Sequence, residues 1–106
     1  PMMNNPFEFM KQMGTLEAQM KNIKSQLSGI TATGNAGAGM VEVTVNGEHK
    51  VVSISINDIM LSPEHKNMIE TLVTSAFNDA TDKLNIAVED FSKRQLQNLG
   101  LGGFNL

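Results

Sequence analysis

The sequence contains no cysteine, no tryptophan and no tyrosine. The absence of cysteine excludes disulfides, thiolate catalysis and cysteine-ligated zinc, and it agrees with a reducing compartment. No apolar run approaches the ~20 residues that a membrane-spanning helix needs. The sequence also lacks the basic start and apolar middle of a signal peptide, so we expect a cytoplasmic protein with no membrane partner.

Positive charge is also scarce. Eight Lys and Arg residues stand against eleven Asp and Glu, which gives a net charge of −3. This balance argues against a strongly basic surface of the kind that binds nucleic acid tightly. The length of 106 residues predicts one domain with a modest core. We expect that domain to span residues 1–99 and residues 100–106, which hold three glycines, to form a flexible tail.

The dominant pattern is a long helix from Ser62 to about Gln97. Ser62 suits the N-cap and Pro63 the first helical position, and no further Pro or Gly follows until Gly100. Apolar residues recur along it at three- and four-residue steps: Met68, Ile69, Leu72, Val73, Ala76, Phe77, Ala80, Leu84, Ala87, Val88 and Phe91. A helix of about 35 residues is ~52 Å long, whereas a compact domain of this size has a radius of gyration near ~13 Å. One chain should therefore leave part of this stripe uncovered, which predicts a homodimer.

A first helix is predicted over residues 5–28. Asn5, Pro6 and Glu8 form a start signal, and Gly29 is a plausible stop. Its apolar residues alternate at four- and three-residue steps: Phe9, Met13, Leu16, Met20, Ile23, Leu27 and Ile30. This heptad spacing, which we call the α1 seam, is typical of a helix that packs against another helix.

Between the helices the sequence predicts strands. Thr31–Thr33 suits a short strand, and the glycine-rich segment 34–39 suits a flexible connection better than a phosphate cradle, because a strand and not a helix follows it. Residues 40–56 alternate apolar and polar around Asn46-Gly47, a strong signal for a two-residue turn. Such a turn pairs Val45 with Glu48, Val43 with Lys50 and Val41 with Val52. The apolar face of this sheet should be covered by both helices, in a two-layer α+β domain.

The segment from Gly37 to Gly47 (GAGMVEVTVNG), together with Ala76–Ala80 (AFNDA), resembles the YbaB/EbfC family of bacterial nucleoid-associated proteins. The similarity runs from about Phe9 to Arg94 in the same order of elements. It implies a helix, a three-stranded antiparallel sheet and a long helix, assembled as a tweezer-shaped homodimer. It also implies a protein of the cytoplasm and nucleoid that binds double-stranded DNA through projecting helices.

One departure weakens the expected DNA binding. Members of this family often carry two basic residues shortly after the Asn-Asp-Ala segment, where this sequence has Asp82 and Lys83. By count, residues 5–28 carry three Lys and two Glu, whereas residues 63–97 carry four basic and six acidic residues. We therefore expect weak, salt-sensitive binding.

The candidate DNA-binding residues are the basic groups clustered on the two helices: Lys11, Lys21, Lys24, Lys83, Lys93 and Arg94. The plainer alternative is that they are ordinary solvated helix charges. The candidate dimer contacts are apolar: Phe9, Met13, Leu16, Met20, Ile23 and Leu27 on the first helix, and Leu84, Val88 and Phe91 on the second.

Catalysis finds little support in the sequence. His49 and His65 have no neighbours that suggest a catalytic triad or a metal site, so we expect no enzyme, no cofactor and no small-molecule substrate. Asn78 and Asp79 suit a structural or dimer contact better than chemistry. Two functions remain: a DNA-binding homodimer, which the resemblance favours, and a dimeric module that binds another protein through its helical arms, which the acidic balance favours.

Overall fold

A computed structural model describes residues 5–98 and shows one helix, a three-stranded sheet and a second, longer helix in chain order. The elements in chain order are α1 (Pro6–Ser28), β1 (Thr31–Ala36), β2 (Val41–Asn46), β3 (Val51–Ile56), two 3₁₀ turns (Asp58–Met60 and Pro63–His65) and α2 (Lys66–Asn98). The sheet is antiparallel with strand order β1-β2-β3. The predicted α+β order of elements is confirmed, while the predicted tail at 100–106 lies outside the described residues.

Helix α1 begins and ends where the sequence predicts. Asn5 caps it, because its Oδ1 accepts hydrogen bonds from the backbone N–H groups of Phe7 at 3.0 Å and Glu8 at 3.4 Å. Gly29 ends it in a right-handed conformation, with its N–H bonded to the Gln26 carbonyl. From Pro6 to Ser28 no residue is buried, so α1 stands away from the sheet. The expectation that both helices cover the sheet is therefore wrong.

The shape of the chain reflects this projecting helix. The radius of gyration is 20.5 Å and the extents are 70 × 28 × 16 Å, whereas a compact domain of about 100 residues has a radius of ~13 Å. The last turn of α1 meets the connection between β2 and β3, where the Gly47 N–H donates to the Ile30 carbonyl at 2.9 Å. A Cβ at Gly47 would collide with the Leu27 carbonyl, so only glycine fits this junction.

Helix α2 starts later than predicted. Ser62 makes no side-chain cap hydrogen bond, and Pro63–His65 form a 3₁₀ turn before the α-helix begins at Lys66. Four residues of the predicted stripe are buried: Ala76, Ala80, Leu84 and Phe91. Phe91 is 8% exposed, so its own chain covers the end of the stripe, whereas Met68 and Phe77 at 54% and 40% stay exposed.

Strand β1 is longer than predicted and includes Gly34. A Cβ at Gly34 would collide with the Ala76 carbonyl and the Ala80 nitrogen, so this glycine allows α2 to lie directly on the strand. The turn to β2 is confined to residues 37–40, with positive φ at Gly37, Ala38 and Gly39. Part of the predicted glycine-rich connection is therefore a packing surface.

The connection between β2 and β3 corrects the predicted register. Asn46 Oδ1 accepts hydrogen bonds from the N–H groups of Glu48 at 2.9 Å and Lys50 at 3.2 Å, and His49 has a φ of 63°. The side chain of Asn46 thus holds a wider turn than the two-residue form. The observed partners are Val41 with Ile56, Val43 with Ile54 and Val45 with Val51, with an irregularity between Thr44 and Val45. The three predicted pairs (Val45–Glu48, Val43–Lys50, Val41–Val52) are wrong.

The core lies between α2 and the first two strands. Val41, Val43 and Val45 of β2 are at most 2% exposed, and they pack with Ala76, Ala80 and Leu84 of α2. Ile30, Ala32, Ala36, Ile56, Leu72, Val73 and Val88 surround this cluster and are partly buried. The contacts of helix α2 with the sheet are mainly with β1 and β2. Of β3, Ile56 packs against this core.

Candidate nucleic-acid interface

The projecting helix α1 carries three of the candidate DNA-binding lysines. Lys11, Lys21 and Lys24 are exposed, and none of them forms an ion pair within residues 5–98. Lys21 and Lys24 lie one turn apart, while Lys11 lies ~15 Å further toward the N-terminus at 1.5 Å per residue. The geometry therefore gives a pair of adjacent free ammonium groups and one distant group, rather than one tight cluster.

Lys83 is engaged inside the domain. Its Nζ donates to Asp79 Oδ2 at 2.9 Å and to the Thr33 carbonyl at 3.4 Å. The same Asp79 oxygen accepts the Asn35 N–H at 3.1 Å. These contacts, which we call the Asp79 network, join α2 to β1.

Within the Asp79 network, the positive charge of Lys83 is balanced by the negative charge of Asp79. The Lys83 hydrogen bond, followed by the Asn35 N–H, holds the pKa of Asp79 below its ordinary value of 3.8. Because Lys83 faces a carboxylate at close range, it offers a phosphate less net attraction than an unpaired lysine does. Asn78, its neighbour in the predicted polar pair, is exposed and takes no part in the network.

The end of α2 holds the two remaining candidates. Lys93 Nζ lies 3.3 Å from Glu89 Oε1, one turn away, whereas Arg94 forms no ion pair with any residue that the structure describes. Contacts of Thr33 with Lys83 and of Asn35 with Asp79 show that β1 runs antiparallel to α2. The start of β1, the base of α1 and the end of α2 therefore lie at the same end of the sheet.

The elements place the candidates at different distances from this common end. Lys21 and Lys24 lie in the half of α1 nearer its base, and Lys93 and Arg94 lie in the last two turns of α2. Lys11 and Lys83 are placed elsewhere, one near the tip of α1 and the other above the sheet. Their role in DNA binding stays a prediction.

The predicted dimer contacts fall into two groups. On the α1 seam the side chains are open, from 37% exposed at Ile23 to 62% at Met20, with Phe9, Met13 and Leu16 between. Only Leu27 and Ile30, near the junction with the sheet, are partly buried. On α2, Leu84 and Phe91 are buried by their own chain and Val88 is partly buried. The seam of α1 thus has the open apolar surface that a second chain requires.

Sequence reasoning misses the exposure of the apolar side chains of β3. Val51, Val52 and Ile54 are 47%, 56% and 52% exposed, whereas α2 packs mainly on β1 and β2. Their alternation predicts a buried face, which is why the sequence places them in the core. The available signal is the complete absence of charge from Val51 to Ile56, which is unusual for an exposed edge strand.

The two histidines offer no catalytic arrangement in the described part of the chain. His65 Nε2 lies 3.9 Å from Glu64 Oε1, and His49 is exposed in the turn before β3. Among residues 5–98 no group of three or more His, Asp or Glu side chains is placed to hold a metal ion. No helix in this range is long and apolar enough to cross a membrane.

Comparison with known proteins agrees with this architecture. The sequence model of the YbaB/EbfC DNA-binding family matches residues 2–99. A nucleoid-associated protein of Bartonella tribocorum is 31% identical over 105 residues, 98% of each chain. A nucleoid-associated protein of Desulfotalea psychrophila is 36% identical over 99 residues, 93% of this chain and 89% of that protein. The crystal structure of an uncharacterized protein of Helicobacter pylori matches the fold with a TM-score of 0.66 and 21% identity, over 87% of this chain and 97% of that one.

Proposed function

This chain belongs to the YbaB/EbfC DNA-binding family, and from that membership we propose that it binds duplex DNA as a homodimer, mainly through phosphate groups. The observation that carries the proposal is the exposed helix α1, whose Lys21 and Lys24 have no acidic partner among the described residues. Its place of action is the nucleoid in the bacterial cytoplasm, and it acts by binding rather than by catalysis.

Phosphate contacts suit the side chains that this chain presents. The candidate groups are lysines and one arginine, and the aromatic residues are five phenylalanines without Trp or Tyr. Lysine binds a phosphate as a point charge, and such contacts position a protein without specifying a base sequence. We expect similar affinity for unrelated duplexes.

A homodimer supplies the second half of the binding surface. The net charge of one chain is −3, so overall attraction cannot hold the DNA, and affinity depends on locally clustered lysines. Twofold symmetry presents the α1 pair Lys21 and Lys24 twice to the duplex. Two weak contacts held at a fixed separation bind more tightly than either one alone.

The α1 seam supports a second candidate, a homodimer that binds another protein and no DNA. Six of its apolar side chains lie on a helix without a buried residue, which is a surface that another amphipathic helix fits. The acidic net charge favours this alternative. The two proposals differ in one property, which is affinity for duplex DNA at low salt.

The test is a gel-shift titration of the unmodified protein with two unrelated duplexes at two salt concentrations. If only some of the clustered basic groups engage, log K should fall against log salt with a slope of about −3 to −6. Lys21→Ala with Lys24→Ala should weaken binding equally for both duplexes and flatten the slope by up to ~3.6, since four phosphate contacts are lost per dimer. Lys66→Ala is the control, because Lys66 lies at the opposite end of α2 and pairs with Glu70.

Two results would change the conclusion. Unchanged affinity and slope in the double variant would exclude α1 as the contact surface. An absence of binding even at low salt would favour the protein-binding alternative.

A further inference from the structure

Strand β1 is the edge strand of the sheet on which helix α2 lies. No strand lies beyond it among residues 5–98. An open row of backbone N–H and C=O groups is a template for a strand of another molecule, and natural edge strands are commonly blocked by Lys, Pro or a bulge. Residues 31–36 (TATGNA) contain no charged residue and no Pro, and they pair with β2 in consecutive register. The strand therefore carries no block of its own.

Side chains of α2 bind backbone groups of β1 that face away from β2. The Thr33 carbonyl accepts a hydrogen bond from Lys83 Nζ at 3.4 Å, and the Asn35 N–H donates to Asp79 Oδ2 at 3.1 Å. Alternate residues of an antiparallel strand turn their backbone groups to the same side. Thr33 and Asn35 therefore both belong to the outer edge, and that edge is occupied from within the chain.

The two side chains take the place of the backbone of one strand residue. A residue of an added parallel strand would donate its N–H to the carbonyl of one β1 residue and accept the N–H of the residue two positions further on. Thr33 and Asn35 have this spacing. Lys83 supplies the donor and Asp79 the acceptor, and a hydrogen bond of 2.9 Å from Lys83 Nζ to Asp79 Oδ2 joins them.

Close packing of α2 on β1 brings these side chains to the edge. Gly34 lies between the two bonded residues of β1, and a Cβ at this position would collide with backbone atoms of Ala76 and Ala80. Because the helix lies directly on the strand, the Asp79 carboxylate and the Lys83 ammonium group reach the backbone of the strand. The Asp79 network therefore depends on the glycine.

We propose that Asp79 and Lys83 block strand addition at β1, because they occupy the Thr33 carbonyl and the Asn35 N–H that a strand of another molecule would bind. The Asp79 side chain is 38% exposed and that of Lys83 is 50% exposed, so both can be truncated without a cavity in the core. This role is independent of DNA binding. It also differs from a contribution to stability, since its loss leads to growth of assemblies from folded protein.

Amide hydrogen exchange tests whether the edge is covered in solution. In the full chain, Asp79→Ala with Lys83→Ala should speed exchange of the Asn35 amide at least about tenfold, while the Val43 amide inside the sheet keeps its wild-type rate. The matched control is Lys66→Ala with Glu70→Ala, a pair of the same spacing on α2. Both double variants keep the net charge of −3. An unchanged Asn35 rate would overturn the proposal.

Growth of assemblies tests whether the uncovered edge acts as a template. Each protein is incubated at a temperature at which circular dichroism shows it folded, and light scattering and thioflavin T fluorescence follow its assembly. The Asp79→Ala, Lys83→Ala variant should grow well beyond the particle mass of the wild type and bind thioflavin T. The Lys66→Ala, Glu70→Ala variant should match the wild type. Equal growth of both variants, or growth of neither, would contradict a block at β1.

A rescue experiment separates strand addition from aggregation of unfolded chains. Lysine on an edge strand blocks the addition of another strand, so Asn35→Lys added to the Asp79→Ala, Lys83→Ala variant should restore the wild-type particle mass. Asn78→Lys adds the same charge on the exposed surface of α2 and should not restore it. Rescue by both lysines, or by neither, would show that growth does not begin at β1 and would overturn the proposal.

Discussion

Glycine at position 34 sets the distance between β1 and α2. Gly34→Ala would force its Cβ against backbone atoms of Ala76 and Ala80, which cannot move aside as a side chain can. We expect a loss of about 1–3 kcal/mol in the free energy of unfolding, in the range of other overpacked sites. Urea denaturation measures it.

The matched control is Gly14→Ala on α1, where nothing lies within 4 Å of the new methyl group. Alanine favours a helix over glycine by roughly 1 kcal/mol, so this change should raise helicity. A Gly34→Ala protein as stable as the wild type would show that α2 and β1 adjust at little cost.

Asp79 should make stability depend on acid pH. Its carboxylate pKa is held below 3.8 in the folded chain, first by the Lys83 hydrogen bond and then by the Asn35 N–H. A depressed folded-state pKa stabilises the fold above the unfolded-state value and loses that effect as pH falls through the folded value. Between pH 7 and pH 3 the wild type should therefore lose more stability than Asp79→Asn does.

Asp82→Asn provides the comparison for this experiment. It removes the same charge from α2, but Asp82 forms no ion pair with any residue of the described range. Its urea midpoint should fall with pH as the wild type's does. Equal acid losses in wild type and Asp79→Asn would mean that ionisation of Asp79 contributes no net stability.

At the scale of elements, the two helices differ in what supports them. Leu84 of α2 is 1% exposed, whereas Met20 of α1 is 62% exposed. Leu84→Ala should lower the free energy of unfolding by about 2–5 kcal/mol, the range for a buried leucine. Met20→Ala should change it far less. Urea denaturation followed by circular dichroism distinguishes the two, and comparable losses would indicate that α1 is packed in solution.

The sequence predicts those parts of the fold that depend on local signals. Asn5 and Pro6 define the start of α1 because capping involves only neighbouring residues. The sequence places Gly34 in a loop, since its role depends on the approach of α2, more than 40 positions away. The predicted turn after β2 is too short because the Asn46 side chain competes with the two-residue form.

In the candidate site, too, features set by neighbouring residues are predictable from sequence and features set by distant residues are not. The lysines of α1 are identifiable from sequence because a helix shows its charges by spacing alone. The pairing of Lys83 with Asp79 follows from their four-residue separation, but its contact with the Thr33 carbonyl needs the fold. The exposure of β3 cannot be predicted from sequence, because alternating apolar residues indicate a buried strand face whether or not a helix packs on that face.

For the whole molecule, the open apolar surface predicts assembly. Sedimentation or light scattering at micromolar concentration should give twice the chain mass of 11.5 kDa. The physical reason is that apolar side chains on α1 and β3 gain free energy when a second chain covers them. A folded monomer at this concentration would contradict the homodimer.

Within residues 5–98, helix α1 contacts the rest of the domain only near its C-terminal end, at the junction with Gly47. The helix has 23 residues and is therefore ~34 Å long, while the contact at its base involves the Leu27 and Ile30 carbonyls. A rotation of about 10° at that base displaces the tip by ~6 Å, more than the ~3.4 Å axial step between phosphates of one strand. If α1 binds DNA as proposed, small changes of angle at this junction would decide which phosphates a distant lysine reaches, with no change in the sheet.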